Sequence, residues 1–195
     1  MSFLIYFARK VITLKIMTLF AEITAWVMSI AAIVFDICSS LTKGDKSMVK
    51  ILIFTFSSNL TIALSYLVKG DGINGSISCF LGATICLINF FYNYNKRKIP
   101  VYMTLLYAIA FTSLNIWSGG INFDSIVAIL ACLCFVMSVV QDTGKMFRIW
   151  TLTNCVLWIV YDFIVATYEP LFTHVVLTAF FIAGIIINDR QQIKE

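Results

Sequence analysis

Seven apolar runs follow one another along this chain, each close to the length that crosses a bilayer, with only short polar breaks between them. The runs are Met17–Ser39, Val49–Val68, Ile73–Tyr92, Pro100–Trp117, Phe123–Gln141, Phe147–Thr167 and Pro170–Asn188. The breaks read LTKGDKS, KGDG, NKRK, SGGIN, DTGK and YE. In lipid every backbone N–H and C=O must find its partner within the segment, so about 20 apolar residues in a row form a spanning helix. A closed β-barrel would need ten-residue segments of alternating character, and these runs are apolar on all sides. The reading is an all-α membrane protein with seven transmembrane helices, a single integral membrane domain over residues 1–195. Composition agrees: 61% of residues are hydrophobic and 12% charged, where a soluble domain runs nearer half and a quarter. Both prolines, Pro100 and Pro170, open a run, where a missing N–H costs no hydrogen bond.

Met1–Lys15 interleaves Arg9, Lys10 and Lys15 with apolar residues and reads as an interfacial segment. The run after it is too long for a signal-peptide core and lacks a small-x-small cleavage site, so it reads as a retained first span. Cations orient the rest. Lys43, Lys46, Lys50, Lys96, Arg97, Lys98, Lys145, Arg148, Arg190 and Lys194 fall on one face, ten of the 14 Lys and Arg. The other face holds Lys69 and the three N-terminal cations, with Asp71, Asp124 and Glu169. The N-terminus is therefore expected outside and the C-terminus inside. Once topology has used this charge no basic face is left for nucleic acid.

Lys50-Ile51 opens the second span and Arg148-Ile149 the sixth, each followed by a short loop and another span. Spans one to three and five to seven would then be parallel repeats, linked by span four, a plan that builds some transporters. Arg148, Trp158 ten residues on, Tyr161, a weakly polar turn and a final span ending at Arg190 resemble the bacterial inner-membrane proteins of the YgjV type. Through the order and length of the spans the resemblance extends over residues 21–190. It implies a location in the bacterial cytoplasmic (inner) membrane and a plan similar to the SWEET and PQ-loop group, three-plus-one-plus-three helices. It implies a transporter-like fold and no established substrate.

Ionisable groups in hydrocarbon are costly, which makes Glu22, Asp36, Asp162 and His174 functional candidates. Under the expected topology Glu22, Asp162 and His174 lie roughly 6–9 Å below the outer boundary. They are expected to approach one another or a common polar cavity, where an acid and a histidine can exchange a proton. Glu22, Trp26, Ser29 and Asp36 share one face of span one, and Asn154, Trp158, Tyr161 and Asp162 one face of span six. Ser58, Thr61 and Ser65 make a milder stripe on span two. Such stripes either line a cavity for a small polar solute or bond one helix to the next. The candidate pathway residues are Glu22, Trp26, Ser29, Asn154, Trp158, Tyr161, Asp162 and His174.

His174 is the only histidine, and Cys38, Cys79, Cys86, Cys132, Cys134 and Cys155 lie in or at the ends of apolar runs. The cysteines read as small packing residues. No catalytic residue, cofactor or metal site is expected. Asn74-Gly75-Ser76 matches a glycosylation sequon in an outer loop. Two functions fit: a small-molecule permease with a cavity between spans one and six, or a non-transporting subunit whose stripes are glue for a membrane partner. The lipid bilayer is a partner in both, and a homo-oligomer is left open.

Overall fold

The structure, a computed structural model, describes residues 2–43, 48–69, 73–166 and 168–189, with side chains over 17–43, 48–68, 76–118, 120–166 and 170–188. Among the described residues there are seven helices and no strand: α1 (Ser2–Leu41), α2 (Met48–Lys69), α3 (Ile73–Tyr94), α4 (Val101–Gly119), α5 (Phe123–Val139), α6 (Gly144–Val165) and α7 (Tyr168–Asp189). Six are long and apolar enough to cross a membrane; α5, at 17 residues, is shorter. It measures about 26 Å, slightly less than a typical hydrocarbon core. The fifth helix ends two residues before the apolar run does. Gln141 folds back there, its amide N–H donating to Ser138 O (3.3 Å) and its side chain to Met137 O (2.7 Å). The sixth begins three residues before its run, because Thr143 caps it: its Oγ1 accepts from the Met146 N–H at 3.3 Å.

The 40-residue α1 continues the first span through 2–16 without a break, giving a helix about 60 Å long. The side chains of Arg9, Lys10 and Lys15 lie outside the described residues, as do those of Lys46, Lys69, Asp71, Asn74, Glu169, Arg190 and Lys194.

Helices pack in chain order. α2 lies between α1 and α3, and α6 between α5 and α7. The two sets meet along α1 and α7, and more thinly along α3 and α5, while α4 lies mainly on α5 and touches α3. Val101, Leu105 and Ile109 of α4 are exposed, as suits a peripheral helix in lipid. The apolar core gathers Ile51, Leu52, Ile85, Cys86, Val136, Val139, Phe147 and Phe181. These come from the starts of α2 and α6 and the later halves of α3, α5 and α7. Packing is therefore densest toward the end of the bundle where the loop cations cluster.

At that same end the two sets are tied by side chains that satisfy helix ends. The last carbonyls of a helix have no partner within it. Leu41, the last residue of α1, offers its carbonyl to Asn188 Nδ2 of α7 at 3.3 Å. Val139, the last residue of α5, offers its own to Asn89 Nδ2 of α3 at 3.0 Å. Asn89 is wholly buried, and its Oδ1 accepts from Tyr107 OH at 3.2 Å. Just before each capped residue stands a buried serine, Ser40 or Ser138, donating to the carbonyl three residues back. Gly184 lets α7 close on α1, since a Cβ there would lie 2.3 Å from Ser40 O.

Arg148 corrects the sequence reading. Counted as a loop cation, it is only 1% exposed, and its Nη1 donates to Thr42 O at 3.0 Å. A cation at a helix C-terminus opposes the negative end of the dipole, so Arg148 secures the end of α1 from within the bundle.

Candidate functional site

The second half of α1 presents Glu22, Ala25, Trp26, Ser29, Ile33 and Asp36 to a cleft of about 280 Å³. Their spacing of three, four and seven residues is that of one helix face. Ile62, Ser65 and Tyr66 of α2 form a second wall, and Pro170, Thr173, His174 and Leu177 of α7 a third. The 14 steps along α1 from Glu22 to Asp36 rise about 21 Å along the helix axis, some two thirds of a hydrocarbon core. Beyond Asp36 the cleft gives way to the tied end of α1.

Hydroxyls hold the α1–α2 wall together. Ser65 Oγ donates to Ala25 O at 3.0 Å and lies 3.2 Å from Ser29 Oγ, which itself bonds Ala25 O. Deeper, Ser58 Oγ donates to Asp36 Oδ2 at 2.8 Å. Ile33 and Ile62 lie between these two polar levels on their helices, so the lining between Ser29 and Asp36 is apolar.

His174 is the best-held group on the cleft. Its Nδ1 lies 2.7 Å from Asp162 Oδ2, and Asp162 is only 3% exposed. Its ring stacks on Trp158, centroids 5.9 Å apart and planes 11° from parallel, and Trp158 meets Tyr161 edge-on at 5.2 Å. With Asp162 ionised, Nδ1 carries a proton toward it, and Nε2 makes no hydrogen bond among the described residues. A neutral ring so oriented offers Nε2 as an acceptor. Carboxylate and indole together fix its angle and tautomer.

The structure brings most of the expected residues together but distributes them differently. Glu22, Trp26, Ser29 and His174 line the cleft. Trp158, Tyr161 and Asp162 stand behind His174 as its support. Asn154 is not part of this group: its Nδ2 donates to Ala131 O of α5 at 2.7 Å, so it ties two helices. Eight residues separate it from Asp162, about 80° around the helix, so the two share the broad face expected while Asn154 turns to α5 rather than to the cleft. The expected cavity between spans one and six lies instead between α1, α2 and α7, because α7 packs directly on α1. Sequence reasoning named Asp36, Ser58 and Ser65 without joining them, and passed over Tyr66, Asn89 and Asn188. A polar residue inside an apolar run was the available signal for the two asparagines.

Among the described residues no group of three His, Cys, Asp or Glu could hold a metal ion. All six cysteines are free thiols, and Cys86, Cys132 and Cys155 are buried. No family model matches this chain, no curated protein matches it and no solved structure matches it.

Proposed function

We propose that this chain is a small-molecule permease of seven spans whose solute occupies the cleft of α1, α2 and α7. One observation carries the reading: the cleft runs along α1 between α2 and α7 and stops at a tied seam. A site that binds from one side and is blocked on the other is half of an alternating-access cycle. Glu22 and Trp26 stand at its mouth, His174 presents its held ring to it, and Asp36 lies at its base.

The blocked side is the seam where Asn188 and Arg148 engage the end of α1 and Gly184 meets Ser40. The two asparagine caps support two parallel three-helix repeats linked by α4, because each caps the first helix of one set from the third helix of the other. Such a plan agrees with the resemblance to YgjV-type inner-membrane proteins. The mouth would face outward and the seam inward, with the C-terminus in the cytoplasm.

Substituted-cysteine labelling tests this. In a background with the six native cysteines replaced, Ser29→Cys should react with a membrane-impermeant thiol reagent added outside intact cells, and a cysteine at Ser138 should not. If Ser29→Cys resists the reagent from both sides, the cleft is no solute route and the role of a membrane partner subunit takes its place.

A further inference from the structure

The lining of the cleft has a charge bias that bears on what it can hold. Two of its side chains are carboxylates, Glu22 and Asp36, and none of the described ones is Lys or Arg. A third carboxylate, Asp162, stands directly behind His174. Asp36 uses one oxygen, Oδ2, for Ser58, and its Oδ1 makes no hydrogen bond among the described residues. A carboxylate can accept at about four positions, so this one retains capacity for a donor or a counter-charge. Charge within a bilayer is expensive unless paired or hydrated, and a cation in the cleft would relieve that expense where an anion would add to it.

Aromatic faces point to an organic rather than an inorganic cation. Trp26, 54% exposed, lies one turn below Glu22, and Tyr66 faces the cleft from α2. Aromatic rings attract an alkylammonium through their quadrupole while covering its carbon surface. A bare metal ion would look for several oxygens at close range, whereas Ile33, Ile62 and Leu177 between the two polar levels give carbon. The volume of about 280 Å³ is that of roughly nine waters, which suits a solute of about that many non-hydrogen atoms.

We infer that the cleft is a binding site for a small organic cation, an amine or quaternary ammonium, met by the faces of Trp26 and Tyr66 at the outer level and by the Asp36 carboxylate about 15 Å deeper along α1. This rests on the cleft being a solute route and adds the class of solute. Glu22 at the mouth draws the cation in, and a neutral His174 can accept from an N–H of a protonated amine.

The test is equilibrium binding to the full chain in lipid nanodiscs, with empty nanodiscs as the blank. Four probes are compared: benzyltrimethylammonium, its uncharged carbon isostere neopentylbenzene, the anion phenylacetate, and glucose. The cation should bind and the other three should not. Asp36→Asn should weaken cation binding at least tenfold, Trp26→Leu severalfold and Trp26→Phe little, while Asp142→Asn, outside the cleft, should change nothing. Trp26→Leu guards against misfolding of the Asp36 variant, since Trp26 is largely exposed. Selective binding of glucose, phenylacetate or the isostere would overturn the cationic class and leave the solute route standing. Cation binding unchanged in both Asp36→Asn and Trp26→Leu would overturn the site. If no probe binds although Ser29→Cys is labelled, the cationic class fails alone; if Ser29→Cys is also unreactive, the route fails with it.

Discussion

Two glycines show how much depends on what a single added methyl would meet. At Gly184 a Cβ would run into the backbone oxygen of Ser40, at 2.3 Å, with Arg148 Cδ at 3.1 Å. Backbone in a tied helix end cannot step aside, so Gly184→Ala should cost about 1–3 kcal/mol by overpacking. At Gly82 the nearest atom is Asn59 Oδ1, at 2.6 Å, the far end of a side chain that can turn. Gly82→Ala should therefore cost less. Unfolding of the two purified variants in the same detergent checks the order, and an equal or reversed loss would contradict the rigid contact between α1 and α7. Neither glycine could be singled out from sequence. Small residues are common in membrane helices, and only the position of the neighbouring backbone distinguishes a contact from empty space. Asp162 and His174 were easier, because an ionisable group in an apolar run stands out by cost alone. Their 2.7 Å pairing then follows from equal depth on adjacent helices.

Among elements, the helix ends that asparagine closes make a matched pair. Asn188 bonds the last carbonyl of α1 and Asn89 the last of α5. Asn188→Leu keeps the volume and removes the donor to the Leu41 carbonyl, a loss of about 0.5–1.5 kcal/mol, whereas Asn89→Leu should cost about 1–3 kcal/mol because it leaves both the buried Val139 carbonyl and Tyr107 OH without this partner. The two seams share no partner in these bonds, so the double variant Asn89→Leu, Asn188→Leu should lose the sum of the single losses within about 0.5 kcal/mol. Denaturant unfolding of the three variants measures this, and a clear excess in the double variant would reveal coupling between the seams. The helices themselves were legible as apolar runs, with ends displaced by two or three residues where a cap intervened. Thr143 extended α6 and the folding back of Gln141 shortened the run at α5. What the runs could not reveal is which helix lies beside which. Hydropathy reports that a residue is out of water and is silent on whether lipid or protein covers it. Hence the cavity was expected against α6 when α7 holds that place, and Asn154 was grouped with a site it does not reach.

For the whole molecule, orientation rests on the loop cations. Moving Arg148 into the interior removes one from the count and leaves nine of the original ten on that face, still an excess. A reporter fused after Glu195 should accordingly behave as cytoplasmic; activity of an exported reporter at that position would reverse the membrane sidedness of the cleft. One property of the seams bears on motion. Both asparagine bonds, the arginine bond and the densest packing sit at one end of the bundle, and the other end is parted by a cleft about 21 Å long. Parting the seam between α1 and α7 means giving up the bonds of Asn188 and Arg148, at about 1 kcal/mol for a neutral hydrogen bond and somewhat more for a charged one. A gap of a few kcal/mol corresponds to a minor conformer at about 0.1–10% of molecules. In the permease proposed above, the reversed arrangement would then be reached by thermal fluctuation, on the microsecond-to-millisecond scale usual for domain motion, and a bound solute would tilt that exchange without an external energy source.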